Sequence, residues 1–286
     1  MNKNGAPEAI ALSGRPARLL ESVAFVAVFL VASYAIDAGL HVADLRMPRE
    51  AAVSILVRIC AFVVVSIVIQ KRLGGKMLEM LALRPAPVAA YVLTAVAIVG
   101  VALFLPPFDG YLSRTYGFYH RAIQIDQSLF VRKDLVGTAL RSLLISPVLE
   151  EALFRGIIFA GLSRNYRLPT AILASSLLFT LYHLNPAQFM GPLLGGILFA
   201  AAYHRSNSLF PSIMGHFLNN LIWFLSTAYH FSVSSIVGTS AASIAIRVVI
   251  GLVMFAASVA LLLIASEKRR RNGQKTDEVT HYPSAI

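Results

Sequence analysis

The sequence is short of three things: cysteine, charge and, most of all, acid. One cysteine, Cys60, occurs in 286 residues, so no internal disulfide can form, and a lone thiol among apolar neighbours behaves as a small hydrophobe. Nothing beyond the nearby Arg58 would activate it as a nucleophile. Only 14% of residues are charged, against about a quarter in an ordinary soluble domain. Between Asp134 and Glu267 the only acids are Glu150 and Glu151. There is no G-x-S-x-G and no H-E-x-x-H, which removes the nucleophile-elbow serine hydrolases and the helix-borne zinc proteases. There is no internal repeat, hence no positive sign of an inverted-repeat transporter. The net charge of +11 comes without a basic stripe interleaved with aromatics, so nucleic acid is not the partner.

What remains is grease. Hydrophobic residues make up 57% of the chain and the mean hydropathy is +0.70. The expected class is an all-α polytopic membrane protein with membrane lipid as its surroundings. Eight apolar runs can be marked: Leu19–Leu40, Ala51–Gln70, Pro87–Leu105, Leu135–Ala160, Thr170–Leu184, Gln188–His204, Leu209–Tyr229 and Ile244–Ala265. The first is too long for a signal-peptide core and is read as an uncleaved span. Placing the N-terminus inside gives fifteen Lys and Arg on the inner connections against six outside (Arg46, Arg49, Arg114, Arg121, Arg132 and Lys133). The positive-inside rule then puts both termini in the cytoplasm, in a bacterial inner membrane.

The chain divides into a cytoplasmic tail over 1–18, N-terminal membrane helices and loops over 19–133, a core over 134–230, a last span within 231–266 and a basic, polar tail over 267–286. Gly74–Pro85 has the spacing of a short interfacial helix. Pro106–Lys133 reads as an aromatic-rich outer belt. The tail after Arg271 has the composition of a disordered segment. The small residues of "GPLLGG" at Gly191 to Gly196 suit close packing of the sixth run on its neighbours.

Three of the runs carry polar residues that need a reason. The fourth holds "LEEALFRGII". A carboxylate at membrane depth costs at least ~2.5 kcal/mol even on lenient scales. Glu151 and Arg155 are four apart on a helix, share a face and can pair. Glu150 is turned by about 100° from Glu151 and is left to face a wet cavity. Pro147 removes a helical hydrogen bond one turn earlier and can open the backbone there. The plain alternative is a structural ion pair plus a spare acid. The fifth run holds Phe179 and His183, four apart. A lone histidine near a helix end is more often interfacial than catalytic. The seventh holds His216, Asn219 and Asn220, which project from one side of a helix. They can act as helix–helix glue, or as donors aimed at one developing oxyanion.

Together these residues form a sufficient set for hydrolysis. Glu150 with a histidine can take a proton from water, and His216 with Asn220 can hold the oxyanion. The set also resembles a known family, the CAAX protease and bacteriocin-processing membrane proteases. That family is marked by EExxxR, FxxxH and HxxxN on successive helices, here Glu150-Glu151…Arg155, Phe179…His183 and His216…Asn220. The resemblance covers 143–224. It implies an eight-helix intramembrane endopeptidase with its cavity open to the cytoplasm and a peptide or membrane-associated protein as substrate. It further implies Glu150 and His183 as the water-activating pair and His216 and Asn220 as oxyanion donors. Glu151, Arg155, Phe179 and Asn219 are left to supporting roles. A metal-free site without cofactor is expected, with Glu150, His183 and His216 as the ligand set should zinc be bound. The rival expectation is a non-enzymatic immunity or scaffold protein of the same family, in which the polar cluster serves folding. By the run limits above, His183 and His216 start at different depths.

Overall fold

In lipid a backbone must satisfy its own hydrogen bonds, and for single segments only the helix does so. The computed structural model describes residues 15–42, 50–76, 80–128, 134–229 and 238–279, and among these there is no strand. The helices are α1 (Leu19–Val42), α2 (Glu50–Leu73), α3 (Val88–Thr115) and α4 (Gly117–Ser128). A rod over 135–165, α5, follows; then come α6 (Leu168–Tyr182), α7 (Met190–Ser206), α8 (Phe210–Tyr229) and α9 (Ala241–Val279).

Each of the eight apolar runs falls on one of these helices. By length and composition, however, four rather than eight qualify as membrane spans: Leu19–Leu40, Ala52–Leu73, Val88–Thr115 and Ala241–Ile264. Leu168–Tyr182 is apolar but shorter. The others fall short for a physical reason. Rod α5 carries Arg141, Glu150, Glu151 and Arg155, α8 carries His216 and two asparagines, and α7 has only 17 residues. The polar residues that single these helices out also lower their hydropathy.

Two helices run further than their apolar runs suggest. Helix α3 does not stop at Leu105 but runs through Pro106 and Pro107 to Thr115. The aromatic segment beyond, read as an outer belt, folds back as α4, with the Tyr119 hydroxyl donating to Asp109 at 2.6 Å. In the segment 74–85, Met80 is helical, and residues 77–79, where the rest of the expected interfacial helix would fall, lie outside the described residues. One turn closes from Met80 N–H to Lys76 O, and the chain then lies along the α7–α8 turn, where Leu209 N–H donates to Ala82 O at 3.0 Å. Helix α9 continues through the polar residues after Arg271 as far as Val279.

Hydrogen bonds define two opposite faces. On the terminal face, Arg15 N–H donates to Leu73 O at 2.8 Å and Asn165 Nδ2 to Ala17 O at 3.0 Å. The Arg84 guanidinium reaches Asn207 O there, at 2.6 Å. On the distal face, Asn185 Nδ2 donates to Ala122 O at 3.3 Å, joining the α6–α7 connection to α4. The terminal-side halves of the helices pack into a closed core of Phe25, Phe29, Val65, Ile69, Phe154, Phe159 and Leu162 among others.

Small residues let backbones approach. A Cβ on Gly196 would meet Ser176 at 2.8 Å, so the sixth run does pack tightly, as its sequence suggests. Between α3 and α9 the approach is mutual: a Cβ on Gly251 would lie 2.5 Å from Gly100 O, and one on Gly100 would lie 2.7 Å from Gly251 O. Because the obstacle is backbone, it cannot rotate away. Gly251→Ala should therefore cost about 1–3 kcal/mol by overpacking and lower the melting midpoint of the detergent-solubilised protein. Gly39→Ala, where nothing lies within 4 Å, should melt like wild type.

Candidate active site

The site begins with a fault in a helix. Pro147 has no N–H to donate and its ring crowds the carbonyl four residues back. Rod α5 answers by widening into a π-turn over Leu140–Ile145, and Ser146 N–H reaches Arg141 O, five residues back. A short α segment, Ser146–Glu151, follows. A second π-turn, Ala152–Phe159, then begins directly after the two glutamates. Wide turns of this kind are frequent at functional sites. The two carboxylates thus sit at the junction, on different sides of the rod.

Glu151 is fully buried and accepts from two donors through Oε1: Arg155 Nη1 at 2.9 Å and His216 Nδ1 at 2.9 Å. The first contact is the pairing that the spacing predicts. Arg155 is itself fully buried, and its Nε and Nη2 find no hydrogen-bond acceptor among the described residues. Aromatic faces stand in for them: the guanidinium lies 4.4 Å from the centre of the Phe179 ring and 5.2 Å from that of Phe199. Desolvated contacts of this kind are worth up to about 2 kcal/mol each.

The same two rings frame the histidines. His216 stacks on Phe199 with centroids 5.5 Å apart, and its edge meets Phe179 at 5.7 Å. Phe179 also touches the His183 ring, at 5.0 Å. His183 and His216 therefore flank one phenyl ring, and the difference in depth expected from the sequence is closed. His183 is the C-cap of α6, and its Nδ1 lies 2.8 Å from Phe179 O. A carbonyl only accepts, so Nδ1 carries the proton and Nε2 is left with a lone pair. For His216, the Glu151 carboxylate fixes the ring in the same sense, with Nδ1 as donor.

Glu150 is not free. Its Oε1 accepts from Arg58 Nη1 at 2.9 Å, and Arg58 also donates to the Tyr182 hydroxyl at 3.1 Å. Its Oε2 stands 3.8 Å from His216 Nε2, too far for a hydrogen bond but a fitting span for one bridging water. Sequence reading missed Arg58, although the signal was there: a cation within an apolar run needs a partner. Asn220 donates through Nδ2 to Ser142 O on α5 at 2.8 Å, so one of its two amide protons acts as interhelical glue. Asn219 Nδ2 reaches Asn220 Oδ1 at 3.4 Å.

These groups share one cavity of about 1870 Å³, lined among others by Glu150, His183, His216, Asn219, Asn220 and Arg58. Glu151 and Arg155 lie behind its wall. Among the described residues, no group of three or more His, Cys, Asp or Glu is placed to hold a metal ion. Of the set named for zinc, Glu150 has one oxygen committed to Arg58 and His216 has Nδ1 committed to Glu151.

Residues 132–222 match the family model described as Type II CAAX prenyl endopeptidase Rce1-like. This stretch contains all three motifs, and the match supports the resemblance to the CAAX protease and bacteriocin-processing family. Comparison with curated proteins and with solved structures gives no match.

Breaking a buried ion pair from one side strands a charge, at a cost of about 3–5 kcal/mol. Glu151→Gln and Arg155→Leu should each lower the melting midpoint and the yield of folded protein. The double substitution, which strands nothing, should recover part of that loss. A Glu151→Gln protein that melts like wild type would show the pair to be misassigned.

Proposed function

We propose that the protein is an intramembrane endopeptidase that hydrolyses a peptide bond with an activated water. The observation that carries this reading is the 3.8 Å gap between Glu150 Oε2 and His216 Nε2 at the wall of the cavity. A water seated there contacts a carboxylate and an imidazole together, and the unprotonated Nε2 of His183 offers a further acceptor on the same cavity. Glu150 takes the proton as the water attacks the carbonyl carbon, and later passes it to the leaving amine. His216, its ring oriented by the Nδ1 bond to Glu151, donates through Nε2 to the oxyanion. The second amide proton of Asn220 supplies another donor. The roles of Glu150 and His183 and of His216 and Asn220 are those implied by the family. Glu151, Arg155, Phe179 and Phe199 hold the imidazoles in place. The eight helical passes cross the membrane, with both termini in the cytoplasm.

The rival reading, a scaffold or immunity protein, has two contacts in its favour. Arg58 neutralises Glu150, and Asn220 is partly spent on Ser142.

Turnover of a peptide substrate by purified protein separates the two. Glu150→Gln should retain fold and insertion and lose about 10²–10⁴-fold in rate. Turnover above a few per cent would remove Glu150 as the base. Chelation should leave wild-type turnover intact, whereas loss of activity restored by zinc would make His216 a ligand. Asn220→Ala should lower kcat by about 10²–10³-fold with KM little changed. A rise in KM together with a lower melting midpoint would mark Asn220 as glue.

A further inference from the structure

The cavity is one-sided. Its wall takes α1 only from Leu30 onward, α2 only up to Arg58, and α3 only from Ile98 onward. It takes α5 only up to Glu150, α6 only from Phe179, α7 only up to Phe199 and α8 only from His216. Among the described residues, none of those lining the cavity comes from 59–73, 151–178, 200–215 or 241–264. In every helix that contributes, the contributing half is the one away from the terminal face. The complementary halves are the packed core, with Val65, Ile69, Phe154, Phe159 and Leu162 all buried. Arg15 and Ala17 cover that core from the terminal side through their bonds to Leu73 and Asn165. A polypeptide cannot reach Glu150 through it.

Charge tells the two faces apart. Arg15, Arg72, Arg84, Arg164, Arg167 and Arg205 lie on or beside the terminal face, and the run Lys268–Arg271 follows the last apolar stretch on that same side. The distal side carries Arg114 and Arg121, but also Asp37 and Asp109 on the cavity rim, so the basic excess lies on the terminal face. By the positive-inside rule the terminal face is cytoplasmic, and the cavity then faces the other way. That is the reverse of the cytoplasm-facing site implied by the family resemblance.

We infer that the site is reached from the extracytoplasmic side of the membrane, and that its substrate is an exported or outward-facing segment of a membrane-anchored polypeptide rather than a cytoplasmic one. The substrate class rests on the endopeptidase reading above; the direction of access does not.

Single cysteines test the direction without requiring turnover. In a Cys60→Ala background, Ala187→Cys places a thiol on the cavity wall in the α6–α7 connection, and Arg167→Cys places one on the terminal face. Both are treated with a membrane-impermeant maleimide, in intact cells and after solubilisation in detergent, with rates normalised to the detergent value. A fluorescent protein fused to the C-terminus, which matures only in the cytoplasm, reports the orientation of the termini separately. The expected result is a fluorescent fusion with Ala187→Cys labelled in intact cells at least tenfold faster than Arg167→Cys. Labelling of Ala187→Cys no faster than that of Arg167→Cys overturns the inference, as does a dark fusion. Failure of the endopeptidase reading would appear elsewhere, as absence of turnover in detergent, where both faces are accessible.

Discussion

Everything at the centre of this protein hangs on the buried contact between Arg155 and Glu151. Neither residue has any exposed surface. An isolated charge at that depth is prohibitive, and the pair is tolerable only because each partner neutralises the other. Among the described residues Arg155 has one hydrogen-bond partner, so its remaining desolvation is offset by the faces of Phe179 and Phe199. Those rings are in turn the surfaces on which His216 stacks and His183 leans. The ion pair therefore sets the positions of two aromatic rings, and the rings set the positions of two imidazoles.

The same contact divides the labour of the two glutamates. Glu151 is committed from behind, to Arg155 and His216, and is out of reach of the cavity. Glu150, one residue earlier, is turned to the cavity side and accepts from Arg58, which also donates to Tyr182. The α-to-π junction after Glu151 and the π-turn before Pro147 shape the rod on which both are carried. The helix breaks its own regularity where two adjacent carboxylates must take up different environments, and it keeps the second carboxylate as the support of the residue opposite the first.

Much of this was legible in the sequence, and for physical reasons. Helical spacing predicts the Glu151–Arg155 pair because partners four apart must share a face. The three motifs predict that three helices meet, since polar groups in lipid have only each other to turn to. Two things were not legible. Arg58 lies 92 residues from Glu150 in sequence, and no local pattern links a cation on one helix to an acid on another. The double role of Glu151 was hidden for the same reason: its bond to His216 is a tertiary contact across 65 residues. Connections were read least well. Pro106 and Pro107 look like a helix end, yet α3 continues through them, and the aromatic segment beyond forms a helix of its own. Which end of the helices the cavity occupies is likewise a property of packing, visible only once all the lining residues are placed together.

The central claim is that two neighbouring carboxylates have opposite exposures, Glu150 to the cavity and Glu151 to the ion pair behind it. A hydrophobic carbodiimide, which modifies reachable carboxyl groups within membranes, reads this directly when the sites of modification are mapped by mass spectrometry on the folded protein. Modification should occur at Glu150 and be absent from Glu151 until the protein is unfolded. Modification of Glu151 in the folded protein, or protection of Glu150 equal to that of Glu151, would contradict it.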